Sequence, residues 1–174
     1  MYKNIYRNKV LELFCIDPDA KLHIREIARQ SNLNPNTVLK ETKNLAKEGL
    51  LIITKTKAIK EVKVNKEAEL FYTIKKIYNL SNLYFSGFVD FLYKEYNAPE
   101  AIILFGSYGR GEDTKNSDID IAIITNRELK LDLRNFEKIF NRTIQIHEIN
   151  LKKVGKTFIA TLINGIILKG YLNL

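Results

Sequence analysis

Apolar residues recur at helical spacing from the start of the chain. Ile5, Val10, Leu11, Leu13 and Phe14 predict a helix over 3–15, which Asp17-Pro18-Asp19 breaks. Cys15 closes that stripe and reads as a core thiol. A second helix is expected over 23–31, with Ile24, Ile27 and Ala28 facing inward. Asn34 is suited to an N-cap, and Pro35 stands at the first helical position, where its missing N–H removes no helical bond. The third helix, 35–48, turns Val38, Leu45 and Ala46 to the core. Asn36, Thr37, Lys40, Lys43, Asn44 and Lys47 are left outward, and Gly49 ends the helix. Alternating apolar and polar positions then predict strands over 50–57 and 61–65, with a turn at 57–60.

Helix, helix, tight turn, helix and a lysine-rich hairpin follow one another. Leu22 to Ser31, Asn36 to Val38 and Lys47 to Leu51 resemble the winged helix-turn-helix domains of archaeal and bacterial transcription regulators. Thr42 departs from that pattern, where the family usually has a large apolar residue. The resemblance implies DNA binding. The third helix would bring Asn36, Thr37, Lys40 and Lys43 to the major groove, and Lys55, Lys57 and Lys60 on the hairpin would meet phosphates or the minor groove. Asn36 is the best base reader among them, since lysines supply mainly sequence-independent, salt-sensitive affinity.

The second half opens with two aromatic-rich helices, 66–80 and 82–97, stopped by Asn97-Ala98-Pro99. Ala101 to Phe105 is a buried strand, followed by the glycine-rich turn Gly106-Ser107-Tyr108-Gly109-Arg110-Gly111 opening a short helix, and a polar loop over 112–116. A second apolar strand covers 117–124, and alternation places Asp118 and Asp120 on one face and Ile119 and Ile121 on the other. Two like charges that close repel unless a cation lies between them, and oxygen donors favour Mg²⁺ or Mn²⁺. Gly106 lets the backbone approach a phosphate, the Ser107 hydroxyl can donate to a phosphate oxygen, and Arg110 can neutralise developing charge. A helix over 131–140, a strand over 143–149 and a final helix over 156–168 complete the pattern. The broad apolar face of the last helix would cover the sheet, with any remainder a candidate dimer or partner surface.

Taken together, Gly-Ser-x-x-Arg-Gly from Gly106 to Gly111, then Ser117 and Asp118-x-Asp120 between two apolar strands, resembles the signature of the DNA polymerase β-type nucleotidyltransferase superfamily. The short remainder is similar to its minimal nucleotidyltransferase branch. The resemblance implies an α+β two-domain chain: a winged helix-turn-helix at 1–70, a helical connection at 71–82, and a small mixed-sheet nucleotidyltransferase domain at 83–174. It also implies nucleotide binding by Gly106, Ser107, Arg110, Gly111 and Ser117, with Asp118 and Asp120 as catalytic residues and ligands of Mg²⁺ or Mn²⁺. The substrate would be a nucleoside triphosphate, with ATP the expected one.

The family usually adds a third carboxylate on the next core strand. Here its natural place falls on Gln145, whose amide cannot act as a base. His147 shares the face of Gln145 and is a candidate base, while Glu148 reaches that face only if the strand bulges or ends there. Gln145 therefore leaves two readings open: an active transferase, and a catalytically weak nucleotide-binding regulator.

Charge sharpens the picture. The 174 residues carry a formal net charge of +8, and residues 1–97 hold 17 Lys/Arg against 11 Asp/Glu. Eight lysines fall between 40 and 66, either a nucleic-acid footprint or a solvated face. One cysteine excludes a disulfide framework, and no apolar run approaches the roughly 20 residues that span a bilayer. A cytoplasmic chain is expected. Members of the minimal branch include antitoxins that add AMP to a tyrosine of a helical HEPN-type toxin. That implies a protein hydroxyl acceptor as one partner, beside DNA and a second copy of the chain.

Overall fold

The structure is a computed structural model describing residues 5–55 and 60–173. The first two residues of the helix expected over 3–15, and Lys57 with most of its expected turn, lie outside the described residues. Packing divides the chain into two units, Met1–Lys75 and Lys76–Leu174.

In the first unit the elements run α1 (Ile5–Ile16), β1 (Leu22–His23), α2 (Ile24–Ser31), α3 (Pro35–Lys47), β2 (Leu51–Lys55) and β3 (Lys60–Val64). The strands form an antiparallel sheet in the order β1-β3-β2, with Leu22 opposite Val62 and Leu51 opposite Val64. Val10, Phe14, Ile27, Val38, Leu45, Leu50 and Val62 are fully buried and close the core beneath the helices. Asn34 caps α3 by accepting the Asn36 N–H at 2.8 Å, with Pro35 next in line. Gly49, at φ +78°, turns the chain out of α3 into β2. Thr42 is fully buried, and its hydroxyl donates to the Val38 carbonyl at 2.8 Å, so the polar group is satisfied inside its own helix. Cys15 is buried as expected, and its carbonyl accepts from the buried Lys75 ammonium. The two-residue β1 is too short to show periodicity; it forms because β3 offers it a free edge.

α4 (Glu69–Phe85) runs across the division, and α5 (Phe88–Glu95) follows it. Beyond α5 come β4 (Ala101–Phe105), α6 (Gly106–Arg110), β5 (Ile119–Ile124), α7 (Arg134–Phe140), β6 (Ile144–Ile149), α8 (Lys156–Ile163) and β7 (Ile166–Gly170). The four strands form one sheet in the order β6-β5-β4-β7, with β5 and β6 parallel and the other pairs antiparallel. One face carries Ile102, Leu104, Ile119, Ile121 and Ile123, packed with Phe88 and Leu92 of α5 and with Phe136 and Phe140 of α7. The other carries Ala101, Ile103, Ala122, Ile124 and Ile149 under Phe158 and Leu162 of α8.

The end of the chain corrects the sequence reading. The helix expected over 156–168 stops at Ile163, and Ile166 to Gly170 form an edge strand on β4. Asn164 caps the helix. A Cβ on Gly165 would stand 2.7 Å from Ile103 Cγ2 and 2.9 Å from the Leu104 carbonyl oxygen, so only glycine permits the turn onto β4. Ile166, Ile167 and Leu168 fit helical and extended periods alike, and the unpaired edge of β4 decides between them.

Candidate active site

β4 and β5 bring the two halves of the motif together. Phe105, the last residue of β4, lies opposite Asp120 of β5, so the glycine turn that follows Phe105 starts beside the carboxylate. Gly106 has φ +72°, and a Cβ there would stand 2.3 Å from Asp120 Oδ2. The backbone at Gly106 and the Asp120 side chain are thus in direct contact, which a side chain at residue 106 would prevent. Asp120 is half-buried and Asp118 exposed, one residue ahead of β5. Ile119 and Ile121 are fully buried on the α5 face, so Asp120 points to the α8 face.

Ser107 is half-buried in the first turn of α6. Arg110 is exposed, and its guanidinium Nε donates to Glu112 Oε2 at 2.6 Å. Such a surface pair is weak enough for an incoming phosphate to displace it. Gly111, at φ +75°, ends α6. Ser117 serves the loop itself: its hydroxyl accepts the Thr114 N–H at 2.9 Å and shares a 3.2 Å hydrogen bond with the Thr114 hydroxyl.

The parallel neighbour β6 sets Gln145 directly beside Asp120, and His147 beside Ala122. Gln145 is exposed. The His147 ring packs on Phe105 at 5.3 Å and on Phe158 at 6.4 Å between centroids. Its Nε2 is buried, has no hydrogen-bond partner and lies 3.8 Å from Asp120 Oδ1. Glu148 faces the opposite side of an unbroken strand, accepting from the Tyr96 hydroxyl at 2.7 Å and from the Leu129 N–H at 3.1 Å. The bulge that would have brought Glu148 to the Asp120 face is absent from β6. Burial, then the hydrogen bond to Glu148, pushes the Tyr96 phenol well above its ordinary pKa, so Tyr96 stays a donor.

The polar loop over 112–116 holds a supporting group that no local sequence signal marks. Asp113 is fully buried, ion-paired with Arg142 at 2.7 Å and hydrogen-bonded by Asn79 at 2.8 Å. Asn79 also donates to the Tyr108 carbonyl at 2.9 Å. The same guanidinium donates to the carbonyls of Thr114 and Ser117 and lies 5.5 Å above the Tyr108 ring. Burial first, then the charge of Asp113, raises the Tyr108 phenol pKa far above its ordinary value. This network ties the loop before Asp118 to α6. Its partners lie far apart in sequence, and no local pattern marks them.

A divalent cation fits the donor set. Asp120 meets the backbone at Gly106, and an imidazole nitrogen without a hydrogen-bond partner lies 3.8 Å from its Oδ1. Among the described residues no three His, Cys, Asp or Glu side chains gather to hold a metal by themselves. A cavity of about 1040 Å³ lies elsewhere, against the opposite strand ends, where Tyr96, Ile124, Asn126, Ile149 and Lys152 line it.

In the first unit Asn36, Lys40, Lys43, Lys55 and Lys60 are exposed and Thr37 is half-buried. Asn36, Thr37, Lys40 and Lys43 belong to α3, while Lys55 and Lys60 end the paired part of the β2–β3 hairpin, opposite one another. No helix among the described residues is long and apolar enough to cross a membrane.

No curated protein and no solved structure matches the chain. Residues 89–170 match the model of the family described as Polymerase beta, Nucleotidyltransferase. That stretch begins within α5, ends with β7 and contains the glycine turn, both aspartates and β6. That match supports the nucleotidyltransferase superfamily for residues 89–170 and suggests nucleotidyl transfer in general.

Proposed function

We propose that the chain transfers a nucleoside monophosphate from a nucleoside triphosphate, ATP first among the candidates, to a hydroxyl acceptor, and that its first unit is a winged helix-turn-helix that binds DNA. The observation that carries the transfer reading is the contact of Gly106 with Asp120, which sets the glycine turn against a carboxylate. The Ser107 hydroxyl and Arg110 hold phosphate oxygens, and Asp118 and Asp120 hold Mg²⁺ or Mn²⁺. The bound ion supplies charge neutralisation across the phosphates. The acceptor oxygen attacks the α-phosphorus in line as its P–O bond to pyrophosphate breaks. Pyrophosphate leaves with that electron pair, and the hydroxyl proton passes to solvent or a nearby base. A tyrosine of a partner protein is the acceptor class we favour.

The test is transfer of label from α-labelled ATP to candidate partner proteins with Mg²⁺ or Mn²⁺. Asp118→Asn and Asp120→Asn should each lower the rate about a hundredfold or more, as removal of a metal-holding carboxylate removes charge stabilisation at the phosphates. Equal labelling by wild type and both variants would overturn the reading.

A second reading, a nucleotide-binding transcription regulator with little transfer activity, is favoured by Gln145 beside Asp120, where an amide replaces a third carboxylate. Saturable ATP binding without transfer to any acceptor would select it.

A further inference from the structure

We infer that His147 Nε2 is a direct donor to the divalent cation held by Asp120, an imidazole nitrogen standing in for the missing carboxylate. The inference rests on the nucleotidyltransferase reading above. Three observations carry it. Nε2 is buried and has no hydrogen-bond partner, so the fold bears an unsatisfied polar atom beside the carboxylate. At 3.8 Å from Asp120 Oδ1 it is too distant for a hydrogen bond. Two donors each about 2.1 Å from one octahedral ion stand about 3 Å apart when adjacent and about 4.2 Å when opposite. The observed separation lies between the two, so a modest side-chain rotation of His147 or Asp120 brings the pair to the adjacent spacing.

The surroundings hold the ring in this position. His147 is paired in register with Ala122, whose methyl leaves room for an imidazole to lean back toward Asp120. Phe105 and Phe158 pack against the ring. Gln145, nearer in register, is exposed, and its amide is a weaker donor. A mixed nitrogen and oxygen site shifts preference away from Mg²⁺, which favours oxygen, toward Mn²⁺.

The experiment uses the full chain with Mn²⁺ and inorganic tripolyphosphate, which contains no nitrogen. Pulsed electron paramagnetic resonance reads nitrogen coupling on the bound ion. The chain has two histidines, His23 and His147. Coupling is expected in the wild type and in His23→Gln, and its loss in His147→Phe. Mn²⁺ affinity should fall about tenfold in His147→Phe while Mg²⁺ affinity, by competition, changes less than about threefold. His147→Gln serves as the second variant, and the His23→Gln spectrum, in which His147 is the one remaining histidine, is decisive if neither His147 variant folds. Bound Mn²⁺ without nitrogen coupling would overturn the inference and leave the transferase reading standing. No retention of Mn²⁺ by the wild type would overturn both.

Discussion

Gly106 and Asp120 occupy adjoining space so closely that the pair acts as one feature. At φ +72°, an alanine at 106 would be strained by roughly 1–2 kcal/mol, and its methyl would meet the carboxylate. Gly106→Ala should therefore lower thermal stability modestly and remove nearly all transfer, because the turn and the acid must separate. Melting curves with the labelled-ATP assay separate the two effects. A variant that keeps full activity would show that the contact is incidental. The nearness of Gly106 to Asp120 was legible in the sequence from motif spacing, whereas the strand expected over 117–124 begins at Ile119 and leaves Asp118 ahead of it. His147 was legible as a residue but not as an orphaned atom, since its nearness to Asp120 depends on the size of Ala122 in the neighbouring strand.

At the scale of elements, the loop between α6 and β5 is held by a buried ion pair. Removing Arg142 leaves the buried Asp113 carboxylate without its ion-pair partner, with the Asn79 amide still donating to it. Arg142→Met should destabilise the second unit by about 3–5 kcal/mol, the usual cost of breaking such a pair from one side. Arg142→Met with Asp113→Leu should recover much of that loss while activity stays low, because the Thr114 and Ser117 carbonyls still lack their donor. A denaturant-unfolding cycle on the single and double variants measures it. An additive cycle would mean that the two side chains do not act together. Sequence reasoning found nearly every helix and strand, since caps and breakers such as Asn34, Pro35 and Gly49 are local signals. It failed at Ile166 to Gly170, where an apolar run satisfies two periods and a distant free edge of β4 settles the matter.

For the whole molecule, charge is unevenly spread along the chain, and the proposed use of the first unit predicts a steep salt dependence. About four phosphate contacts from α3 and the β2–β3 hairpin would cost roughly a hundredfold in duplex affinity between 50 and 200 mM salt. Lys40→Ala and Lys43→Ala should each flatten the logarithmic slope by about one. Gel shifts across a salt series measure this, and a slope near zero would leave the lysines as a solvated face. The order of elements, the capped third helix and the spacing of the glycine turn from its two aspartates were set by the sequence itself, because each depends on residues within a few turns or strand lengths of one another. Only the tertiary structure decided that Ile166 to Gly170 form a strand, that Glu148 faces away from Asp120, that Arg142 anchors the loop before Asp118, and that His147 turns a nitrogen without a hydrogen-bond partner toward the carboxylate. Each of those outcomes depends on which side chain or sheet edge a distant segment presents, and on whether a buried polar group finds a partner there.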